Sequence, residues 1–168
     1  IIKNSKPKKL DTELDVKMLL TTAMLCNNAN IYISPKENAV KIDGDPTEVA
    51  YLVAGLKGGI NIDTLNNHYP RVDEIPFDPE KQVMLTKHLT PSQKSLICLK
   101  GAQEKVLTFC DTYLTSNGKI EPLTSALREQ IVAKANMLAK NALRVLAFSY
   151  YEEEKNDKPL EFDYIKGR

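Results

Sequence analysis

The spacing of hydrophobic and polar positions along this 168-residue chain changes period several times, and each change marks an element. From Asp11 to Ala29, the residues Leu14, Met18, Thr22 and Leu25 recur at helical spacing, and Thr12 with Asp15 resembles a capping box. That stripe is expected to face a sheet. Ile31-Tyr32-Ile33 and Ala39-Val40-Lys41-Ile42 flank Ser34-Pro35-Lys36-Glu37-Asn38, the pattern of a β-hairpin. A second helix is predicted from Asp45, a good N-cap followed by Pro46 at the first helical position, to the Gly58-Gly59 pair. The stretch from Asn61 to Pro70 is expected to hold a short helix.

Three strands are predicted next, Arg71 to Pro76, Val83 to Leu89 and Lys94 to Leu99, separated by turn residues. Their succession favours an antiparallel sheet. Ala102 to Cys110 reads as a short helix and Thr124 to Asn141 as a long one, with Leu127, Ile131, Ala135 and Leu138 along one face. A strand is predicted over Arg144 to Tyr151. The charge run Glu152 to Lys158 reads as a solvated loop, and Leu160 to Tyr164 as a returning edge strand. The expected fold is one α/β domain of the α+β type spanning residues 1–168: a mainly antiparallel, twisted sheet of about six strands with helices packed on its faces.

Composition narrows the class. A hydrophobic share of 42% and a charged share of 27% are those of a soluble globular protein. The 23 basic residues nearly cancel the 22 acidic ones, so the concentrated positive field of a nucleic-acid binder is lacking. Cys26, Cys98 and Cys110 are odd in number and have no CxxC spacing, which argues against a disulfide framework or structural zinc and for a reducing compartment. His68 and His88 lack partners at metal-ligand spacing and read as surface residues. No stretch approaches the ~20 apolar residues of a membrane span. The chain starts without methionine, as expected of a piece of a longer polypeptide.

Four short segments carry candidate chemistry. Lys100-Gly101-Ala102 follows the apolar run Ser95 to Leu99, so a mobile charge stands beside a residue that lets a ligand approach the backbone. The plainer alternative is a surface lysine at a strand end and a turn glycine. Gly44-Asp45-Pro46-Thr47-Glu48 puts a hydroxyl and a carboxylate at a helix start, to grip a polar ring edge or simply to cap the helix. Phe77, between Pro76 and Asp78-Pro79, is either displayed for stacking on a base or is a core residue beneath a turn. Arg144 either reaches a phosphate or pairs with a local carboxylate such as Glu129.

Taken in order, Cys26-Asn27, Gly44 to Ala50, Ile75-Pro76-Phe77-Asp78, Lys100-Gly101-Ala102 with Glu104, and Leu143-Arg144-Val145-Leu146-Ala147 resemble the nucleotide-binding domain of P-type cation-transporting ATPases. The similarity spans nearly the whole chain and leans toward calcium pumps. It implies that Phe77 stacks on the adenine of ATP, that Glu48 and Thr47 meet its polar edge, that Lys100 and Gly101 line the pocket, and that Arg144 reaches toward the phosphates. It further implies Mg2+ bound with ATP through ligands outside this chain, phosphorylation and actuator domains in the same polypeptide, and a place on the cytoplasmic face of a membrane pump. One departure stands out: Gln82 occupies the position where the family usually carries a lysine, with Lys81 as the nearby base, and Lys81 and Gln82 are accordingly the weaker site residues.

Several segments are missing from the sequence. It has no Asp-Lys-Thr-Gly-Thr, no Thr-Gly-Asp or Gly-Asp-Gly, and neither GxxxxGK[ST] nor GxGxxG. The expected role is therefore positioning of ATP rather than completing phosphoryl transfer, with a non-catalytic interaction domain of the same fold as the rival reading.

Overall fold

The computed structural model describes residues 2–3, 6–7, 13–34 and 39–165. In chain order the elements are β1 (Ile2–Lys3), β2 (Lys6–Pro7), α1 (Leu14–Leu25), β3 (Asn30–Ser34), β4 (Ala39–Asp43), α2 (Pro46–Lys57), α3 (Ile62–His68), β5 (Arg71–Asp78), β6 (Val83–Leu89) and β7 (Lys94–Gly101). There follow α4 (Gln103–Val106) with a 3-10 turn over Leu107–Phe109, β8 (Thr112–Leu114), β9 (Ile120–Pro122), α5 (Ser125–Lys140), β10 (Ala147–Glu154) and α6 (Phe162–Ile165). The class is the expected α+β arrangement with every pairing antiparallel. Four strands, in the order β10-β7-β6-β5, form the central sheet, and β1-β2, β3-β4 and β8-β9 are separate two-stranded ribbons.

Both faces of the central strands are covered, which is why β6 and β7 are buried along nearly their whole length, polar residues included. Strand alternation sends Met84, Leu96 and Cys98 to one face, where Met24 and Leu25 of α1, Leu52 of α2 and Leu65 of α3 close over them. Val83, Leu85, Ile97 and Leu99 go to the other, against Val106 of α4, Leu160 and Ile165. Each such side chain contributes about 1.5–3 kcal/mol by leaving water.

Local chemistry sets the helix starts. Asp45 accepts from the Thr47 N–H at 2.8 Å with Pro46 at the first position, Asn61 accepts from the Thr64 N–H at 2.8 Å, and Thr124 accepts from the Leu127 N–H at 3.3 Å. The stripe of α5 is half-buried at Leu127, Ile131 and Leu138 and buried at Ala135. For α1 the start differs from expectation: Glu13 is the N-cap without a side-chain cap bond, and Thr12 lies outside the described residues. Leu14 is 44% exposed, so burial concentrates in the last turn, from Thr22 to Leu25.

The chain's C-terminal third departs most from the sequence expectations. β10 begins at Ala147 rather than Arg144 and runs through Glu152 to Glu154, because Lys94 on β7 meets the Glu152 and Glu154 carboxylates at 3.2 and 3.8 Å. A charge run here is the outer edge of a strand. Leu160 to Tyr164 makes no strand; the short α6 forms there instead. The preceding segment is stitched under the sheet, with the buried Lys87 ammonium donating to the Asn156 and Lys158 carbonyls at 2.8 and 3.0 Å and Asp73 accepting from the Leu160 N–H at 2.8 Å. Among the described residues no helix is long and apolar enough to cross a membrane.

His88, expected at the surface, is only 2% exposed. Its Nδ1 meets the Tyr69 carbonyl and its Nε2 the Thr86 hydroxyl, each at 2.9 Å. Burial, aided by the Arg71 charge, holds its pKa down to about 4. The fold thus favours the neutral ring, while the unfolded chain takes up a proton near the ordinary value of about 6.5. Stability supplied by neutral His88 is complete above that value and is lost as pH falls toward 4. Urea unfolding at pH 7 and pH 5 is expected to show a loss of about 2 kcal/mol in the parent chain that His88→Asn does not show.

Candidate functional site

The site is built where α2 crosses the C-terminal end of α1. Two glycines permit the close approach. A Cβ on Gly55 would stand 1.9 Å from the Met24 sulfur, and Gly44, at φ +118°, passes so near Ala29 that a Cβ would lie 2.6 Å from its Cα. Glu48 in the first turn of α2 is thereby lowered onto Asn27 and Asn28. The Asn27 amide donates to the Glu48 carbonyl at 2.8 Å and its Oδ1 accepts from the Ala29 N–H at 2.7 Å, while the Asn28 N–H donates to Glu48 Oε2 at 3.1 Å. The Cys26-Asn27 pair is therefore the corner that receives the helix. Burial pushes the Cys26 thiol up to about 11, so it is protonated and unreactive at neutral pH.

Glu48 Oε1 accepts a hydrogen bond from the Lys100 ammonium. Lys100 is 6% exposed and lies inside β7, not at a surface strand end, so the plainer reading of it does not hold. In register it stands between Met84 on β6 and Phe148 on β10. Gly101, one residue on, belongs to the opposite face by strand alternation. A Cβ there would lie 2.3 Å from the Gln82 carbonyl oxygen and 2.6 Å from Val83 Cγ1, so this glycine lets the β7 end pass the turn before β6.

Phe77 is 53% exposed, which rules out a core residue beneath a turn. Ile75 pairs with Leu85 and Asp78 with Val83, so β5 holds one residue more than β6 across this step. The bulge sets Pro76 and Phe77 together opposite Met84. Phe77, Met84, Lys100 and Phe148 thus form one row across the sheet, with Phe77 two strands, or about 10 Å, from Lys100.

Thr47 is half-buried beside Glu48, its N–H held by the Asp45 carboxylate, whose pKa is lowered by the hydrogen bonds from Thr47. Arg144 is exposed just before β10, and its charge acts on Asp45 and Tyr51. Among the described residues it makes no ion pair with Glu129. Lys81 and Gln82 are in a turn rather than on a strand. Asp78 accepts from the Glu80 and Lys81 N–H groups at 2.8 and 3.0 Å, and Gln82 sits at φ +57°. Lys81 pairs with Asp78 at 3.2 Å and stands 4.7 Å from the centroid of Phe162, whose ring packs against the core of the far face. The structure brings together Thr47, Glu48, Lys100 and Phe77 with Arg144 at the margin, and directs Lys81 elsewhere.

Two further residues escaped sequence reasoning. Tyr51, one turn after Glu48, packs edge-on against Phe148 with centroids 5.2 Å apart, and its buried hydroxyl has no hydrogen-bond partner among the described residues. Arg71 donates to the Leu25 carbonyl at 2.9 Å and to Asn28 Oδ1 at 2.6 Å, which fastens the corner that holds Glu48. The i, i+3 spacing of Glu48 and Tyr51 was a visible signal; nothing in the sequence marked Arg71. A cavity of about 440 Å³ lies beyond this corner and includes neither Phe77, Glu48 nor Lys100.

A half-exposed aromatic, a largely buried carboxylate–ammonium pair and a marginal arginine stand together on an antiparallel α+β frame. A family profile described as P-type ATPase, cytoplasmic domain N, matches residues 15–166. The chain belongs to that family. It is 36% identical over 160 residues to calcium-transporting ATPase 1 of Bacillus cereus, covering 95% of this chain and 17% of the relative. It is 35% identical over 172 residues to calcium-transporting ATPase 1 of Saccharomyces cerevisiae, covering 98% and 18%. A probable cation-transporting ATPase F of Mycobacterium bovis is 38% identical over 107 residues, covering 64% and 11%. The chain thus spans under a fifth of the length of these relatives.

Two substitutions test the packing of the site. Glu48→Ala leaves the Lys100 ammonium buried without its partner and is expected to lower the unfolding free energy by about 3 kcal/mol in urea titration. Gly101→Ala meets a backbone carbonyl rather than a yielding side chain, and the same titration is expected to show a loss of about 2 kcal/mol.

Proposed function

We propose that this chain holds ATP for a P-type cation pump, positioning the γ-phosphate for transfer to an aspartate carried by a phosphorylation domain of the same polypeptide. The observation that carries the reading is the row across the sheet, in which the solvent-facing Phe77 ring shares a face with the Lys100–Glu48 pair. Phe77 stacks on the adenine, and Glu48 and Thr47 meet the base's polar edge. Lys100, neutralised by Glu48, supplies hydrogen bonding at that edge rather than a free charge for phosphate, and Gly101 keeps the strand end close beneath it. Arg144 is the exposed cation left to face the phosphates. Catalysis in such an arrangement is positioning: the base and sugar are fixed so that the phosphates project in line toward their acceptor.

Magnesium arrives with the ATP phosphates and is assigned no ligand in this chain. The relatives' names point to calcium as the transported ion, and the pump reading places this chain on the cytoplasmic side, against phosphorylation and actuator domains. A second reading, a domain of this fold that no longer binds nucleotide, is favoured by one observation: Lys81 is turned onto Asp78 and Phe162.

An ATP titration of isotope-labelled protein followed by amide shifts separates the two. Under the pump reading, millimolar ATP moves the neighbourhoods of Phe77, Glu48, Lys100 and Arg144. Phe77→Ala is expected to weaken binding about tenfold, from ~1–3 kcal/mol of lost stacking, with little change in unfolding temperature. If those amides stay still at millimolar nucleotide, the second reading replaces the first.

A further inference from the structure

The cavity behind the α1 corner differs in chemistry from the face that carries Phe77. Its volume of about 440 Å³ falls in the range of small-molecule pockets, ~300–1,000 Å³. Met24, Leu25, Leu52 and Leu65, all buried, line it, and Asn28, Asn66, Asp63 and Tyr32, all exposed, stand at its mouth. Its lining is about evenly divided between apolar and polar surface, so a molecule that fills it must combine an apolar body with hydrogen-bonding groups.

The charges in the wall select the ligand. Among the described lining residues Arg71 is the cation, and the four N–H donors of its two terminal nitrogens are engaged by Asn28 Oδ1 at 2.6 Å, Glu74 Oε2 at 2.7 Å, and the Leu25 and Asn27 carbonyls. Both ring nitrogens of His88 are likewise engaged. Asp63 adds a carboxylate at the mouth, so among the described residues an anion meets a negative charge and a guanidinium already paired with Glu74. The asparagine amides offer donors and acceptors to neutral groups, and the Met24 thioether is a good neighbour for an aromatic ring.

We propose that this cavity is a second ligand site, distinct from the nucleotide face and taking an uncharged planar aromatic molecule with one or two hydrogen-bonding groups. The assignment stands whether or not the chain binds ATP. Asn28 belongs to both places: its side chain accepts from Arg71 at the cavity wall, and its N–H holds Glu48. Occupancy is therefore reported at Asn28.

Indole is the probe. Titration into the labelled chain is expected to give saturating amide shifts at Met24, Asn28, Leu52 and Leu65, with intermolecular NOEs from the indole ring to the Leu52 and Leu65 methyls. Indole-3-acetate, which adds a negative charge, is expected to bind at least about tenfold more weakly. Leu65→Trp fills the cavity and abolishes the shifts, whereas Phe77→Ala keeps them; if Leu65→Trp does not fold, the NOEs in the parent chain decide. The proposal is overturned if no saturable shifts appear at these amides, if the shifts centre on Phe77 and vanish in Phe77→Ala, or if the anion binds as well as indole.

Discussion

A lysine ammonium placed on the covered face of a central strand needs a counter-charge, and this requirement organises the molecule around Lys100. Glu48 meets it from the first turn of α2, which obliges that helix to lie against the sheet at one height and one rotation. The approach is close enough to demand glycine at positions 44 and 55. It also needs a receiving corner at the end of α1, where the Asn27 amide donates to the Glu48 carbonyl, the Asn28 N–H to the Glu48 carboxylate, and Arg71 to the Leu25 carbonyl that the helix end leaves open. The same side chains therefore carry the packing and the candidate site. The pair is a poor free phosphate clamp and a good rigid edge, because both of its charges are already partnered.

The turn between β5 and β6 solves a second problem. Asp78 gathers the N–H groups of Glu80 and Lys81, and Gln82 closes the turn in the left-handed region, where its carbonyl takes the Ala102 N–H at 3.1 Å. The extra residue in β5 that accompanies this turn keeps Phe77 in solvent on the face of Lys100. Shifting the count by one would carry that ring to the opposite side, since side chains alternate along a strand. The apparent loss of a basic residue at position 82 follows the same geometry, for a residue with positive φ in a tight turn contributes chiefly its backbone.

Two regions of unlike character meet at Asn28. One is an open face with an aromatic ring and an arginine at its edge. The other is a partly open cavity with an apolar floor and neutral amides, whose described cation, Arg71, is already paired. Asn28 links the two, holding Glu48 with its backbone N–H and accepting from Arg71 with its side chain.

Much of this was legible in the order of residues. Helix starts at Asp45, Asn61 and Thr124, the three strands β5 to β7 and the α5 stripe follow from local hydrogen bonding and periodicity, which depend on neighbours in the chain. The site segments were visible as family-like motifs. What the order of residues left open required partners distant in sequence. Glu152 to Glu154 join a strand because Lys94 faces them, His88 is buried because Tyr69 and Thr86 satisfy its ring, and Leu160 docks because Asp73 accepts its N–H. The sequence alone determined which residues carry charge, aromatic surface and conformational freedom. Only the tertiary structure decided that Lys100 is spent on Glu48, that Lys81 turns to Phe162 and that Phe77 stays in water, since burial, pairing and strand register belong to contacts between distant segments.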